Sequence, residues 1–105
     1  MFSLIKSKLD ALHALCKRHH VRALYLFGSA TRDDFEPETS DLDFLVEFQP
    51  EVRVTFRMLD DVERELSELF ERKVDLLTRS SIEQSPNFIR RRAILESMEP
   101  VYRAA

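Results

Sequence analysis

Two hydrophobic periodicities alternate along this chain, and their order limits the folds open to it. In the first segment the apolar positions recur at steps of four, three and four, as on one face of an amphipathic helix: Ile5, Leu9, Leu12 and Cys16. Residues 41–48 instead alternate strictly, with Leu, Phe, Val and Phe on one face and Asp, Asp, Leu and Glu on the other. That period of two predicts a strand with one face on a core.

The remaining segments continue this interleaving. Residues 22–27 form a short apolar run typical of a strand buried on both faces, and residues 29–40 are polar, as in a surface loop. Apolar residues at helical spacing from Val54 to Phe70 predict a long helix, and residues 73–78 predict a third strand. Ser85-Pro86 resembles the start of another helix, running through Leu95, and residues 99–102 carry a proline that only an edge strand tolerates easily.

This order predicts a single domain over residues 1–105 with an α/β (α+β) fold. We expect a small mixed β-sheet with helices packed on one face, and the opposite face carrying the acidic residues. A net charge of −3 provides no basic field for a phosphate backbone, so direct nucleic-acid binding is not expected. Cys16 has no partner for a disulfide or a zinc site and is expected in the core, and no apolar run is long enough for a membrane span. These features favour a cytoplasmic protein.

Three aspartates are candidates for metal chemistry. Asp41 and Asp43 are two positions apart in a predicted strand, so both carboxylates leave the same face. Two such carboxylates repel each other, and Mg²⁺, which prefers oxygen ligands, is the usual resolution. Asp75 adds a charge between two apolar neighbours, where a shared metal would compensate its cost. The Asp41–Asp43 spacing alone is equally typical of a solvated strand end.

The only glycine of the chain, Gly28, directly follows the most apolar strand and precedes Ser29. Glycine allows backbone amides to approach a ligand closely, and a serine hydroxyl can contact phosphate. The pair therefore outlines a phosphate-binding turn, although an ordinary strand-to-helix turn has the same composition.

Two stretches together carry a family signature: LFGSATR at residues 26–32 and SDLDFLV at residues 40–46. An apolar strand, Gly-Ser, a spacer and Asp-x-Asp resemble the minimal nucleotidyltransferase (MNT) group of the DNA polymerase beta superfamily. The spacer, residues 30–40, is one residue longer than the commonest form. The length and element order also match, so the resemblance covers nearly the whole chain and implies a polymerase-beta-like nucleotidyltransferase core.

The resemblance also implies roles for individual residues. Asp41, Asp43 and Asp75 would be the catalytic carboxylates that hold Mg²⁺, with Asp75 helping to accept a proton from the attacking hydroxyl. Gly28 and Ser29 would bind the triphosphate of ATP, the nucleotide donor. Arg32 matches a position that is often basic in the family, where it would contact phosphate or be only a surface charge.

The same resemblance implies a partner, because MNT proteins are commonly paired with HEPN-domain proteins. The first hypothesis is an antitoxin that transfers AMP to a tyrosine of a HEPN toxin. A vestigial binding module that neutralises its partner by occlusion is the alternative from another class, and a small-molecule adenylyltransferase is the third. His13, His19 and His20 are interpreted as solvated surface. The arginines at 90–92 are interpreted in the same way, with contact to a partner or to phosphate as the alternative.

Overall fold

The computed structural model describes residues 3–27, 42–84 and 86–104. In chain order its elements are α1 Ser3–Ser7, α2 Leu9–Arg18, β1 Val21–Phe27, β2 Leu42–Phe48, α3 Phe56–Phe70, β3 Val74–Thr78, α4 Arg79–Glu83, α5 Phe88–Ser97 and β4 Glu99–Arg103. The predicted interleaving of helices and strands is therefore confirmed. Within the described residues, no helix combines the length and the hydropathy that crossing a bilayer requires.

The four strands form one sheet in the order β3-β2-β1-β4. β1 pairs with β2 and with β4 in antiparallel fashion, whereas β2 and β3 are parallel, so the sheet is mixed as predicted. The parallel pair is possible because α3 carries the chain back along the sheet between β2 and β3. β4 is an edge strand, which explains how it accommodates Pro100.

One face of the sheet carries the main hydrophobic core. Alternate residues of the strands lie on this face. α2 and α3 pack against these residues, and each helix contributes one stripe of buried side chains. The strand and helix residues that are less than 2% exposed in this cluster include Leu24, Leu26, Leu42, Phe44, Val46, Leu12, Cys16, Val62, Leu66 and Phe70. Phe44 and Phe70 stack with their ring centroids 6.0 Å apart. Burial raises the pKa of the Cys16 thiol to about 12, in agreement with its predicted place in the core.

The second face is also covered in part, which differs from the expected packing of helices on one face only. Its buried residues are Ala23, Tyr25, Phe27, Leu45, Ile82 and Ile94. Ile82 comes from α4 and Ile94 from α5. The reason is that β1 and the middle of β2 are apolar on both faces, so both need cover. The acidic residues Asp43 and Asp75 occupy only the end of this face.

The helix boundaries differ from the predicted ones at two places. The first apolar stripe is shared by α1 and α2, which are separated at Lys8; its ammonium group donates to the carbonyl of Leu69 at 2.5 Å. Val54 precedes α3 instead of opening it, because the extended residue Thr55 caps the helix by accepting from the backbone N–H of Met58 at 3.2 Å.

Two histidines interpreted as solvated are engaged with other elements. His19 Nε2 contacts a carboxylate oxygen of Glu65 on α3, and Arg18 contacts the other oxygen. His13 meets the ring of Tyr102 edge-on, with centroids 5.2 Å apart. The interpretation as solvated surface is wrong for His19, whose side chain is only 19% exposed, while His20 is exposed.

Candidate active site

Two of the three predicted aspartates lie opposite each other in the sheet. In the parallel β2–β3 pair the partner of Asp43 is Asp75. Side chains opposite each other in neighbouring strands leave the same face about 5 Å apart. The sheet therefore brings together two carboxylates that are 32 positions apart in sequence.

These carboxylates lie at the end of the sheet where β1 ends and β2 begins. Phe27, the last residue of β1, pairs with Asp43. The other predicted site residues, Gly28, Ser29, Arg32 and Asp41, lie outside the described residues. Since Gly28 directly follows Phe27 and Asp41 directly precedes Leu42 in sequence, the chain leaves the described part and returns to it at this same end.

Asp75 also influences α3, through a residue that the sequence analysis did not single out. Burial raises the pKa of Glu63, and the negative charges of Asp75 and Asp60 raise it further, while Lys73 opposes them. Glu63 follows the buried Val62, so it lies at the margin of the helix face that meets the sheet. The sequence feature that points to Glu63 is its position directly after Val62, a buried residue on the helix that packs against β3.

The donor set at this end suits a hard divalent cation. Asp43 and Asp75 are register partners on adjacent strands, and carboxylate oxygens are the ligands that Mg²⁺ takes in proteins. Among residues 3–27, 42–84 and 86–104, no three His, Cys, Asp or Glu side chains are grouped closely enough to hold a metal. The predicted site needs Asp41 as its third carboxylate, and Asp41 is outside those ranges.

A separate cavity of about 450 Å³ opens at the other end of the sheet, where β2 and β3 end. Its lining includes Phe48, Thr78 and Arg79. Arg79 is paired with Glu47 at 2.8 Å and with Glu83 at 3.1 Å, so its charge is compensated within the protein. Asp43 and Asp75, the predicted site residues within the described part of the chain, do not line this cavity.

The arginines of α5 agree only in part with the expected solvated face. Arg92 is largely exposed and pairs with Glu96 one turn along the helix, at 2.9 Å. Arg91 is half-buried and donates to the backbone carbonyl of Glu83 at 2.9 Å. Arg91 therefore ties α5 to the end of α4.

The facing residues Asp43 and Asp75 are two of the three carboxylates to which the resemblance assigned metal binding. The family model for the nucleotidyltransferase domain matches residues 10–99. The chain belongs to this family. The match runs from α2 to the start of β4 and includes every predicted site residue.

Curated relatives of this nucleotidyltransferase domain occur in Methanocaldococcus jannaschii. The proteins MJ0126 and MJ1217 are 37% and 35% identical to it over 68 residues. Both carry the provisional name of protein adenylyltransferase. The alignments cover 65% of this chain, and the chain spans 66% of the length of each of these relatives.

Solved structures share the fold. One described provisionally as a minimal nucleotidyltransferase has a TM-score of 0.70 and 27% identity, covering 95% of this chain and 96% of that one. A chain of a toxin–antitoxin complex with AMP-PNP has a TM-score of 0.65 and 14% identity, covering 91% and 73%. A chain from a complex of the tri-AMPylated Shewanella oneidensis HEPN toxin with its MNT antitoxin has a TM-score of 0.63 and 13% identity, covering 95% and 73%. The predicted fold class and family are thus confirmed.

Proposed function

We propose that this chain is a Mg²⁺-dependent nucleotidyltransferase that moves AMP from ATP to a tyrosine hydroxyl of a HEPN-domain protein and thereby acts as its antitoxin. The observation that carries the proposal is the pairing of Asp43 with Asp75 at the end of the sheet where β1 ends, one position before Gly28 and Ser29 in sequence. A vestigial binding module would have no need for facing carboxylates, which repel each other without a cation.

The related proteins support the finer parts of the proposal. Two relatives at 35–37% identity are named for protein adenylylation, which favours AMP as the transferred group and a protein as its acceptor. Structures of the same fold include one with AMP-PNP and one with an AMPylated HEPN toxin, which favours ATP as donor and a HEPN protein as acceptor.

Asp41, Asp43 and Asp75 would hold Mg²⁺ in this reaction. When bound, the metal neutralises charge on the triphosphate and polarises the α-phosphate. Gly28 and Ser29 would bind the phosphates with backbone amides and a hydroxyl. Arg32 would add a positive charge to this phosphate-binding turn.

The chemical step is an in-line displacement. The tyrosine oxygen forms a bond to the α-phosphorus of ATP while the bond from that phosphorus to the bridging oxygen breaks, and pyrophosphate leaves. Asp75 takes the hydroxyl proton on a carboxylate oxygen, since it lies on an exposed edge strand where an acceptor can approach. No covalent intermediate with the protein is required.

The proposal is tested by intact-mass measurement of HEPN-domain proteins from the same genome, each incubated with the purified chain, ATP and Mg²⁺. We expect a mass increase of one or more AMP groups with the wild-type chain, and none with Asp43→Asn. Glu51→Gln, which removes an exposed carboxylate from a turn outside the site, is the matched control and should retain transfer. Undiminished transfer by Asp43→Asn would contradict the proposal, and so would a bound HEPN protein that is never modified.

A further inference from the structure

The cavity of about 450 Å³ lies outside the carboxyl ends of the parallel strands β2 and β3. The chain leaves these two ends toward opposite faces of the sheet. α3 follows β2 and packs into the main core through Val62 and Leu66, whereas α4 follows β3 and packs on the second face through Ile82. In sheets of parallel strands, the crevice between connections that diverge in this way is where ligands typically bind. We name this cavity the β2–β3 crevice.

The β2–β3 crevice is separate from the candidate active site. Asp43 and Asp75 lie near the starts of their strands, whereas Phe48 and Thr78, which line the crevice, are the last residues of the same strands. The five steps from Asp43 to Phe48 span about 17 Å. A small ligand in the crevice therefore does not contact the site carboxylates.

Arg22 is brought to the crevice by an irregularity of β1. Val21 pairs with Phe48 and Ala23 pairs with Glu47, so Arg22 is the extra residue of a bulge. A bulge turns a side chain out of the regular alternation of a strand, and Arg22 lines the crevice. Its guanidinium group has no hydrogen bond or ion pair with any other residue in the described part of the chain.

The other charged groups of the lining compensate each other. Glu47 and Arg79 both line the crevice and are paired at 2.8 Å. Arg79 is also paired with Glu83 at 3.1 Å. Arg22 therefore leaves the lining with one uncompensated positive charge, which favours an anion as the ligand.

Much of the remaining lining is apolar. Phe48, Pro50, Val52 and Val54 form an apolar wall, and Val54 is 44% exposed, so a ligand can reach it. Ser80 adds an exposed residue with a hydroxyl group. Sites for small organic molecules typically have volumes of about 300–1,000 Å³ and combine an apolar lining with a few polar groups. The crevice has both properties.

We propose that the β2–β3 crevice binds a small organic anion, whose carboxylate or phosphate group pairs with Arg22 and whose apolar part packs against Phe48 and Val54. A guanidinium group binds either kind of anion through two parallel N–H···O hydrogen bonds. This site goes beyond the proposed transfer of AMP, since it uses other residues at the opposite end of the sheet.

The test is a titration of the isotope-labelled chain with phenylacetate and with phenyl phosphate, followed by amide shifts in two-dimensional NMR without ATP or Mg²⁺. We expect the amide signals of Arg22, Gln49, Val54 and Ser80 to shift and to saturate with a Kd of about 1 mM, as for a ligand of about ten heavy atoms. Phenylacetamide has the ring without the charge, and acetate has the charge without the ring. Both should bind at least about 10-fold more weakly than phenylacetate.

The variants separate the charge from the apolar wall. Arg22→Gln should weaken binding of both ring-bearing anions by at least about 10-fold and leave the weak binding of phenylacetamide unchanged. Val54→Ser should weaken all three ring-bearing probes alike, by roughly 3-fold. Arg92→Gln is the matched control, because Arg92 is an 80% exposed arginine on α5 that does not line the crevice, and its replacement should leave every Kd unchanged.

The amide spectrum of each variant also shows whether it folds. The proposal would be overturned if neither anion shifted the crevice signals at about 20 mM, or if phenylacetate and phenylacetamide bound equally well. Unchanged affinity in folded Arg22→Gln would overturn it too. An equal loss in Arg92→Gln and Arg22→Gln would show attraction to any surface cation and would likewise exclude a specific site.

Discussion

The substitution Asp75→Asn separates electrostatic repulsion from catalysis at the proposed site. Asp75 and Asp43 are strand partners, and opposed side chains on adjacent strands lie about 5 Å apart. Two unit charges at ~5 Å repel by ~1 kcal/mol at the dielectric constant of water and by ~3 kcal/mol at an effective value of ~20. Because Asp75 is exposed, the lower figure applies. Removing one charge without a metal should therefore stabilise the folded chain by ~1 kcal/mol.

For a domain of this size, ~1 kcal/mol corresponds to a rise in Tm of roughly 4–8 °C. Thermal unfolding in EDTA should show this rise for Asp75→Asn but not for the control Glu51→Gln. Adding Mg²⁺ and ATP should reduce the advantage, because the wild-type site then binds the cation with both carboxylates.

Transfer of AMP should fall by at least about 100-fold in the same variant, since an amide cannot take the proton and is a poorer metal ligand. Much of the Mg²⁺-ATP affinity should remain, through Asp41 and Asp43. An unchanged Tm in EDTA together with full transfer would refute the placement of Asp75 in the site. Loss of folded protein would instead identify Asp75 as a structural charge.

Two further predictions concern the phosphate-binding turn and the stability of the fold. Gly28→Val should weaken Mg²⁺-ATP binding strongly, because a β-branched side chain obstructs close approach of phosphate to the backbone; an unaltered dissociation constant would place the turn elsewhere. Burial favours the neutral form of Glu65, but hydrogen bonds and charges from His19 and Arg18 outweigh it and lower its pKa below 4.5. The interactions of the Glu65 carboxylate with His19 and Arg18 therefore stabilise the fold above pH 4.5, and this stabilisation is lost as the pH falls through the lowered pKa of Glu65. Glu65→Gln should therefore cost about 1 kcal/mol in urea unfolding at pH 7, with the difference disappearing in acid, whereas a constant difference would exclude this linkage.

The features that could be predicted from sequence are those set by local periodicity. The strict alternation in β2 predicted which residues face the main core, because a strand sends successive side chains to opposite faces. Pro100 predicted the edge position of β4 because proline cannot donate to a neighbouring strand. The resemblance to minimal nucleotidyltransferases then supplied the family, which the residues alone left open.

Other features depend on contacts between distant parts of the chain, and local patterns do not encode them. The helical spacing of apolar residues continues across Lys8, so the sequence pattern does not show the break between α1 and α2. At this break the Lys8 side chain donates a hydrogen bond to the Leu69 carbonyl. The engagement of His19 depends on Glu65, which is 46 positions away. Thr55 could have been identified from sequence, because threonine is favoured at a helix N-cap. A cap at Thr55 explains why Val54 lies outside α3.

The candidate site likewise combines a feature that local spacing predicts with one that depends on contacts between distant parts of the chain. Sequence spacing predicted that Asp41 and Asp43 share a face, whereas Asp75 was connected with them only by an expected shared metal and by the family resemblance. The proximity arises from the parallel register of β2 and β3, which α3 connects while packing on the same core.

The proposed function depends on Asp41 and Asp43 binding ATP through Mg²⁺. Calorimetric titration of ATP into the wild-type chain should show binding with Mg²⁺ and little or none in EDTA. In the double variant Asp41→Ala, Asp43→Ala the Mg²⁺-dependent binding should be abolished while circular dichroism shows an intact fold. Binding of ATP that is indifferent to Mg²⁺, or that survives in the double variant, would contradict the account.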